Sequence, residues 1–148
     1  DKLMPYLHLP IQSGSDNILK KMNRRHTVSE YLKIIELVRK YCEDIAISSD
    51  FIVGHPGETY EDHKKTLDII NEVQFASSYS FMYSERPGTK SSEFGEIVDE
   101  NIKKIRLRQI QNKLNHYQFA FNKNMEDLEV PILITNKNTK ITTLRDER

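Results

Sequence analysis

The sequence predicts an α/β fold built on a parallel sheet, and three observations carry that prediction. Apolar, strand-like runs at Tyr6–Ile11, Ile45–Val53 and Tyr79–Tyr83 are each followed by a loop and then a helical pattern. All five glycines lie in those loops. Glycine confined to strand-to-helix turns marks backbone that bends sharply or approaches a ligand closely. In β/α folds that edge of the sheet is where ligands bind.

The first run, Tyr6-Leu7-His8-Leu9-Pro10-Ile11, contains a proline, which has no amide proton for a ladder, so its pairing is incomplete. Gln12-Ser13-Gly14-Ser15 then turns, with Ser15 the candidate cap of a short helix carrying Ile18, Leu19 and Met22. A basic cluster, Lys20, Lys21, Arg24, Arg25 and His26, leads to the capping box Thr27-Val28-Ser29-Glu30. The helix it opens brings Val28, Tyr31, Leu32, Ile35, Val38 and Cys42 to one face. Ile45–Val53 is β-branched and nearly uncharged, the pattern of a strand covered on both faces. The loop Gly54-His55-Pro56-Gly57-Glu58-Thr59 ends in a second cap, Thr59 with Asp62, and His63, Leu67, Ile70 and Val73 form the buried stripe that follows.

Ser78–Tyr83 is a short aromatic strand, followed by the turn Arg86-Pro87-Gly88-Thr89. A long helix from about Asp99 to Met125 repeats Ile102 or Ile105, Leu107, Ile110, Leu114, Tyr117, Phe121 and Met125, decorated by Lys103, Lys104, Arg106, Arg108 and Lys113. Two units are expected. Residues 1–126 form the α/β part, and 127–148 are a disordered tail or the start of a second domain, with one strand at Glu129–Thr135 and a polar, turn-prone remainder. Three parallel strands are too few for a closed barrel, which has about eight. A half-barrel, or an open sheet with an unprotected edge, is the expected form.

Lys and Arg together number 22, as do Asp and Glu, so the chain is formally neutral. Neutrality leaves nucleic-acid binding to local patches. No apolar stretch approaches the roughly 20 residues of a bilayer span, so no membrane association is expected. A single cysteine, Cys42, excludes an internal disulfide framework and fits a cytoplasmic protein. The five histidines show no metal-ligand spacing.

Several segments together resemble one family. They are Leu9-Pro10-Ile11-Gln12-Ser13-Gly14-Ser15-Asp16, Met22-Asn23-Arg24-Arg25-His26-Thr27, Ser48-Ser49-Asp50-Phe51-Ile52-Val53-Gly54 with Pro56-Gly57-Glu58-Thr59, Ser78-Tyr79-Ser80-Phe81, and Arg86-Pro87-Gly88-Thr89. The chain resembles the radical-SAM methylthiotransferases from about Leu3 to Thr135, best the branch that modifies tRNA N6-isopentenyladenosine beside the anticodon. The resemblance implies the C-terminal half of a partial radical-SAM (β/α) barrel, with about three parallel strand–helix units, followed by the start of a TRAM-like β domain. It also implies S-adenosylmethionine, 4Fe–4S clusters and tRNA as cofactors and partner.

Cofactor contacts fall, by resemblance, on Gln12 and Ser13 after the first strand and on Asp50, Ile52, Gly54 and Glu58 around the second. Asp50 stands where the superfamily element has glycine, Glu58 lies one position late, and His55 replaces an expected phenylalanine. Arg24 and Arg86 are the candidate RNA contacts. Each of these residues has a plain structural alternative as a turn, cap or helix-dipole partner. The cluster ligands are a different matter. Clusters of this kind are held by thiolates, and Cys42 alone supplies none of the sets the family uses, so no catalytic residue is assigned and no independent activity is expected. The chain is then a fragment of such an enzyme, or half of a split enzyme whose partner chain carries the cysteines and docks at the Tyr6–Ile11 edge. The rival readings are a non-catalytic remnant or weak RNA-binding module, or half of a split enzyme from another methylthiotransferase branch.

Overall fold

The structure is a computed structural model that describes residues 4–85, 97–129, 132–137 and 142–146. The chain runs β1 (Tyr6–His8), α1 (Asp16–Lys21), α2 (Val28–Tyr41), β2 (Ala46–Val53), α3 (Tyr60–Val73), β3 (Ser77–Met82), α4 (Glu100–Lys123), β4 (Ile132–Lys137) and β5 (Thr142–Asp146). The first three strands form one parallel sheet in the order β1-β2-β3. That sequential parallel order is the one expected of strand–loop–helix units.

β1 is shorter than its apolar run. Pairing lapses after His8↔Ser48 and resumes only at the isolated bridge Gln12↔Phe51, so the edge carries one residue more than its partner over this stretch. Pro10 lies within it and cannot donate to a ladder. The chain re-enters the sheet through Gln12, whose φ of 75° is left-handed.

Both predicted capping boxes are present, Thr27 with Glu30 on α2 and Thr59 with Asp62 on α3. Ser15 corrects the sequence reading. It stands at the N-cap of α1 but makes no side-chain cap bond, because its hydroxyl is drawn instead to Asp62 of α3. The core lies between the sheet and the helices, where Ile11, Ile47, Phe51 and Val53 meet Tyr31 and Ile35 of α2, Ile70 and Val73 of α3, and Ile110 and Leu114 of α4. Phe51 and Phe75 pack edge-on at its centre, 5.3 Å between ring centroids.

Two further expectations change. On α4, Ile102 and Ile105 are 43% and 58% exposed, while Arg106, read as surface decoration, is buried. The stripe therefore runs Arg106, Ile110, Leu114 at four-residue steps, and one cation takes an apolar position. In the tail, the strand expected at Glu129–Thr135 is Ile132–Lys137, and it pairs antiparallel with a strand the sequence reading missed, Thr142–Asp146. The β-branched pair Thr142-Thr143 before Leu144 was the available signal.

Candidate functional site

Among the described residues, helices cover one face of the three-stranded sheet. Successive strand residues point to opposite sides, and Ile47, Phe51 and Val53 of β2 enter the helical core. Ser48, Asp50 and Ile52 therefore point the other way, where no helix packs among the described residues. The expectation that β2 is covered on both faces thus holds for its first half, where Ala46 and Ser48 are buried, and fails at Asp50 and Ile52, which are half-buried among the described residues. Register places His8 beside Ser48, Tyr79 beside Asp50 and Phe81 beside Ile52 on the same side. Tyr79 and Phe81 are 64% and 54% exposed, two neighbouring aromatic surfaces on an edge strand.

A polar chain crosses this face. Tyr6 Oη lies 2.6 Å from Ser48 Oγ, His8 Nδ1 lies 2.7 Å from the same Oγ, and His8 Nε2 lies 3.5 Å from Asp50 Oδ2. Ser48 is fully buried beneath its two partners. The His8 and Asp50 side chains are partly open to solvent.

Two loops frame the C-terminal end of β2. In the first, the Gln12 amide donates to the Asp50 carbonyl and the Gln12 carbonyl accepts from the Ile52 amide, both at 2.9 Å. The residues after it turn inward to α3. The Ser15 hydroxyl donates to Asp62 Oδ1 at 2.5 Å, the Gly14 amide donates to Thr66 Oγ1 at 3.0 Å, and the Ser13 hydroxyl accepts from the Ser15 amide at 3.2 Å. A Cβ on Gly14 would lie 2.4 Å from the Lys65 carbonyl oxygen, so this glycine permits close approach of α3, and not of a ligand.

In the second loop Gly54 and Gly57 have φ of 72° and 74°, backbone that glycine adopts without strain. Glu58 closes the loop on itself and on α4. One carboxylate oxygen accepts from the Gly54 amide at 2.8 Å and from Arg106 Nη1 at 2.6 Å, and the same guanidinium nitrogen donates to the Glu58 carbonyl at 2.9 Å. Burial pushes the Glu58 carboxyl up, against the Gly54 amide and Arg106, which both pull it down. His55, buried in the loop, donates from Nδ1 to the Pro56 carbonyl at 3.1 Å and meets Tyr83 edge-on at 5.0 Å. Burial holds the His55 imidazole below the ordinary histidine value. The place of the expected phenylalanine is thus filled by an aromatic contact within the protein.

Of the residues singled out in the sequence, Gln12, Asp50, Ile52 and Gly54 converge at the end of β2. The Ser13 hydroxyl and the Glu58 carboxylate are turned into the protein. Arg24 is exposed just beyond α1, and its amide bonds to the Leu19 carbonyl at 2.9 Å. Arg86 lies outside the described residues. Tyr6, His8 and Ser48 were not singled out, although the two-residue alternation Tyr6, His8 against Ser48, Asp50, Ile52 is the signal that places them on one face. Arg106 gave no such signal, because a lone arginine in a basic helix reads as surface.

The sequence pattern of the Radical SAM superfamily matches residues 2–70. Together with the three-stranded parallel sheet, that match defines the chain as carrying part of a radical-SAM α/β domain. Within this class it is similar to tRNA-2-methylthio-N(6)-dimethylallyladenosine synthases. It is 54% identical to the one from Ehrlichia chaffeensis over 139 residues, which is 94% of this chain and 31% of the relative. It is 52% identical over 132 residues to the one from Maricaulis maris, covering 89% of this chain and 29% of the relative. With the one from Wolbachia sp. subsp. Brugia malayi it shares 48% identity over 139 residues, 94% of this chain and 31% of the relative. The chain spans about a third of the length of the curated relatives it matches.

Radical-SAM proteins use S-adenosylmethionine and an iron–sulfur cluster. The helix-free face suits the nucleoside part of the former. It offers the Asp50 carboxylate as acceptor and Ile52 and Phe81 as adjoining apolar surface, and at the same end of the sheet the Tyr83 hydroxyl is buried without a hydrogen-bond partner among the described residues. The cluster does not fit the residues present. Among the described residues no three His, Cys, Asp or Glu side chains gather to hold a metal. Cys42 caps the C-terminus of α2, ahead of β2 and so at the opposite end of the strands.

Proposed function

We propose that this chain is the part of a tRNA methylthiotransferase that binds S-adenosylmethionine, and that it serves the transfer of a methylthio group to N6-isopentenyladenosine beside the anticodon. The observation that carries this is the similarity to the three synthases over about nine-tenths of the chain or more, through both loops that frame the helix-free face. The 4Fe–4S clusters are held by cysteines outside these 148 residues, in a longer polypeptide or a separate partner chain, and the chain alone is inactive. Bound cofactor would supply the methyl group and the radical. The protein's own residues bind and orient: Asp50 accepts hydrogen bonds, Ile52 and Phe81 give a flat apolar wall, and Gly54 turns the main chain away at the strand end. Glu58 and Ser13 act indirectly, by fixing the loops on α4 and α3. Exposed Arg24, with Lys20 and its neighbours, offers charge to tRNA phosphates, and Arg86 is assigned the same role. The setting is cytoplasmic, and among the described residues no helix is long and apolar enough to cross a membrane.

The test is co-expression with a cysteine-bearing N-terminal half in cells that lack their own enzyme. Retained iron, and methylthio-isopentenyladenosine in digested tRNA by mass spectrometry, are expected. A folded, co-purified pair with iron but no modified nucleoside would refute the reaction assigned.

A further inference from the structure

We infer that His8 is a positioning residue: held as its Nε2–H tautomer by Ser48, it orients the Asp50 carboxylate on the helix-free face toward a bound nucleoside. The ligand half of this rests on the reading of that face given above.

The Ser48 hydroxyl carries one proton and stands between the Tyr6 hydroxyl at 2.6 Å and His8 Nδ1 at 2.7 Å. One arrangement runs Tyr6 O–H to Ser48 and Ser48 O–H to Nδ1. It leaves Nε2 carrying the ring proton, facing Asp50 Oδ2 at 3.5 Å. The reverse arrangement puts the ring proton on Nδ1 and turns a nitrogen lone pair toward a carboxylate, which is repulsive. The first therefore prevails. At 3.5 Å the Nε2–Asp50 contact is charge–dipole attraction at the limit of hydrogen bonding. An ionised carboxylate has about four lone-pair sites, so Asp50 keeps capacity to accept from a ligand's hydroxyl groups while His8 restricts its rotation. Burial of Ser48 beneath Tyr6 and His8 makes the relay a fixed part of the sheet.

The experiment uses the whole 148-residue chain, with proton–nitrogen NMR on the His8 ring and calorimetric titration with S-adenosylhomocysteine. The expected tautomer is Nε2–H. His8→Asn, which lacks a donor at the ε position, weakens binding about fivefold. His8→Gln, whose amide nitrogen reaches that position, stays within about twofold. His8→Asn combined with Asp50→Asn binds no more weakly than Asp50→Asn alone, as a residue acting through Asp50 requires. An Nδ1–H tautomer, additive losses, or His8→Asn binding like the unsubstituted chain overturns the inference alone. An unsubstituted chain that shows the Nε2–H tautomer yet binds no S-adenosylhomocysteine overturns the cofactor reading of the face, and the ligand proposed here with it.

Discussion

The Arg106 guanidinium meets the Glu58 carboxylate at 2.6 Å, 48 residues away in sequence and with both side chains buried. This pair fastens α4 to the loop that ends β2, and so sets where Gly54 and the strand end lie. Removing one partner of a buried pair strands the other charge. Arg106→Met should therefore cost about 3–5 kcal/mol in urea unfolding. Arg106→Lys should recover only part of it, because an ammonium is more strongly hydrated than a guanidinium and so costs more to bury at this site. The double substitution with Glu58→Gln should cost less than the sum.

Gly14→Ala is expected to be severe for a steric reason. The added carbon would lie 2.4 Å from the Lys65 carbonyl oxygen and 2.6 Å from Thr66 Cα, both helix backbone that cannot swing aside. Overpacking of this kind costs about 1–3 kcal/mol or more. A thermal melt of the variant checks it, and a change within error would contradict the packing of the first loop on α3.

Ser15→Ala and Thr27→Ala separate two roles that look alike in sequence. Thr27 caps α2, and its loss should cost about 1 kcal/mol. Ser15 donates instead to the Asp62 carboxylate at 2.5 Å, a bond to a charged group worth about 1.5–3 kcal/mol. Denaturant midpoints compared side by side should rank Ser15→Ala as the more damaging.

Acid should weaken the fold through two buried histidines. Burial holds both His55 and His63 below the ordinary value of 6.5. As pH falls through 6.5 the unfolded chain takes up protons before these sites do, so unfolding binds protons and stability drops. Their contribution is fully present above 6.5 and is lost toward their lowered folded-state values. Glu58, raised by burial, gives a slope of the opposite sign, so the informative quantity is a difference. His55→Phe should flatten the fall in urea midpoint between about pH 7 and about pH 5 relative to the unsubstituted chain.

The three parallel strands, the two caps that open α2 and α3, and the extent of α4 were legible in the sequence because each has a local cause: periodicity, or a Thr three residues before an acid. The site was legible only in part. Gln12 was placed after the first strand and Asp50, Ile52 and Gly54 around the second by resemblance, whereas their meeting at one strand end follows from sheet register. The partners of Ser15 and Glu58 could not, because Asp62 and Arg106 are brought to them by tertiary packing across 47 and 48 residues. A buried arginine looks like a surface one until its carboxylate is found. Coverage of β2 was read only in part for a related reason. Its uncharged appearance came from Ser48 and Ser49, and Ser48 is sheltered by Tyr6 and His8 of the neighbouring strand and not by a second layer of helices.

The central claim is that the helix-free face holds the nucleoside part of S-adenosylmethionine. The most direct measurement is to titrate S-adenosylhomocysteine into the isotope-labelled chain and map the backbone amide shifts. The account predicts saturable shifts concentrated at Gln12, Asp50, Ile52, Gly54 and Phe81. Shifts confined to the helical side, for example around Asn71 and Lys113 between α3 and α4, or a spectrum that stays unchanged, would contradict it.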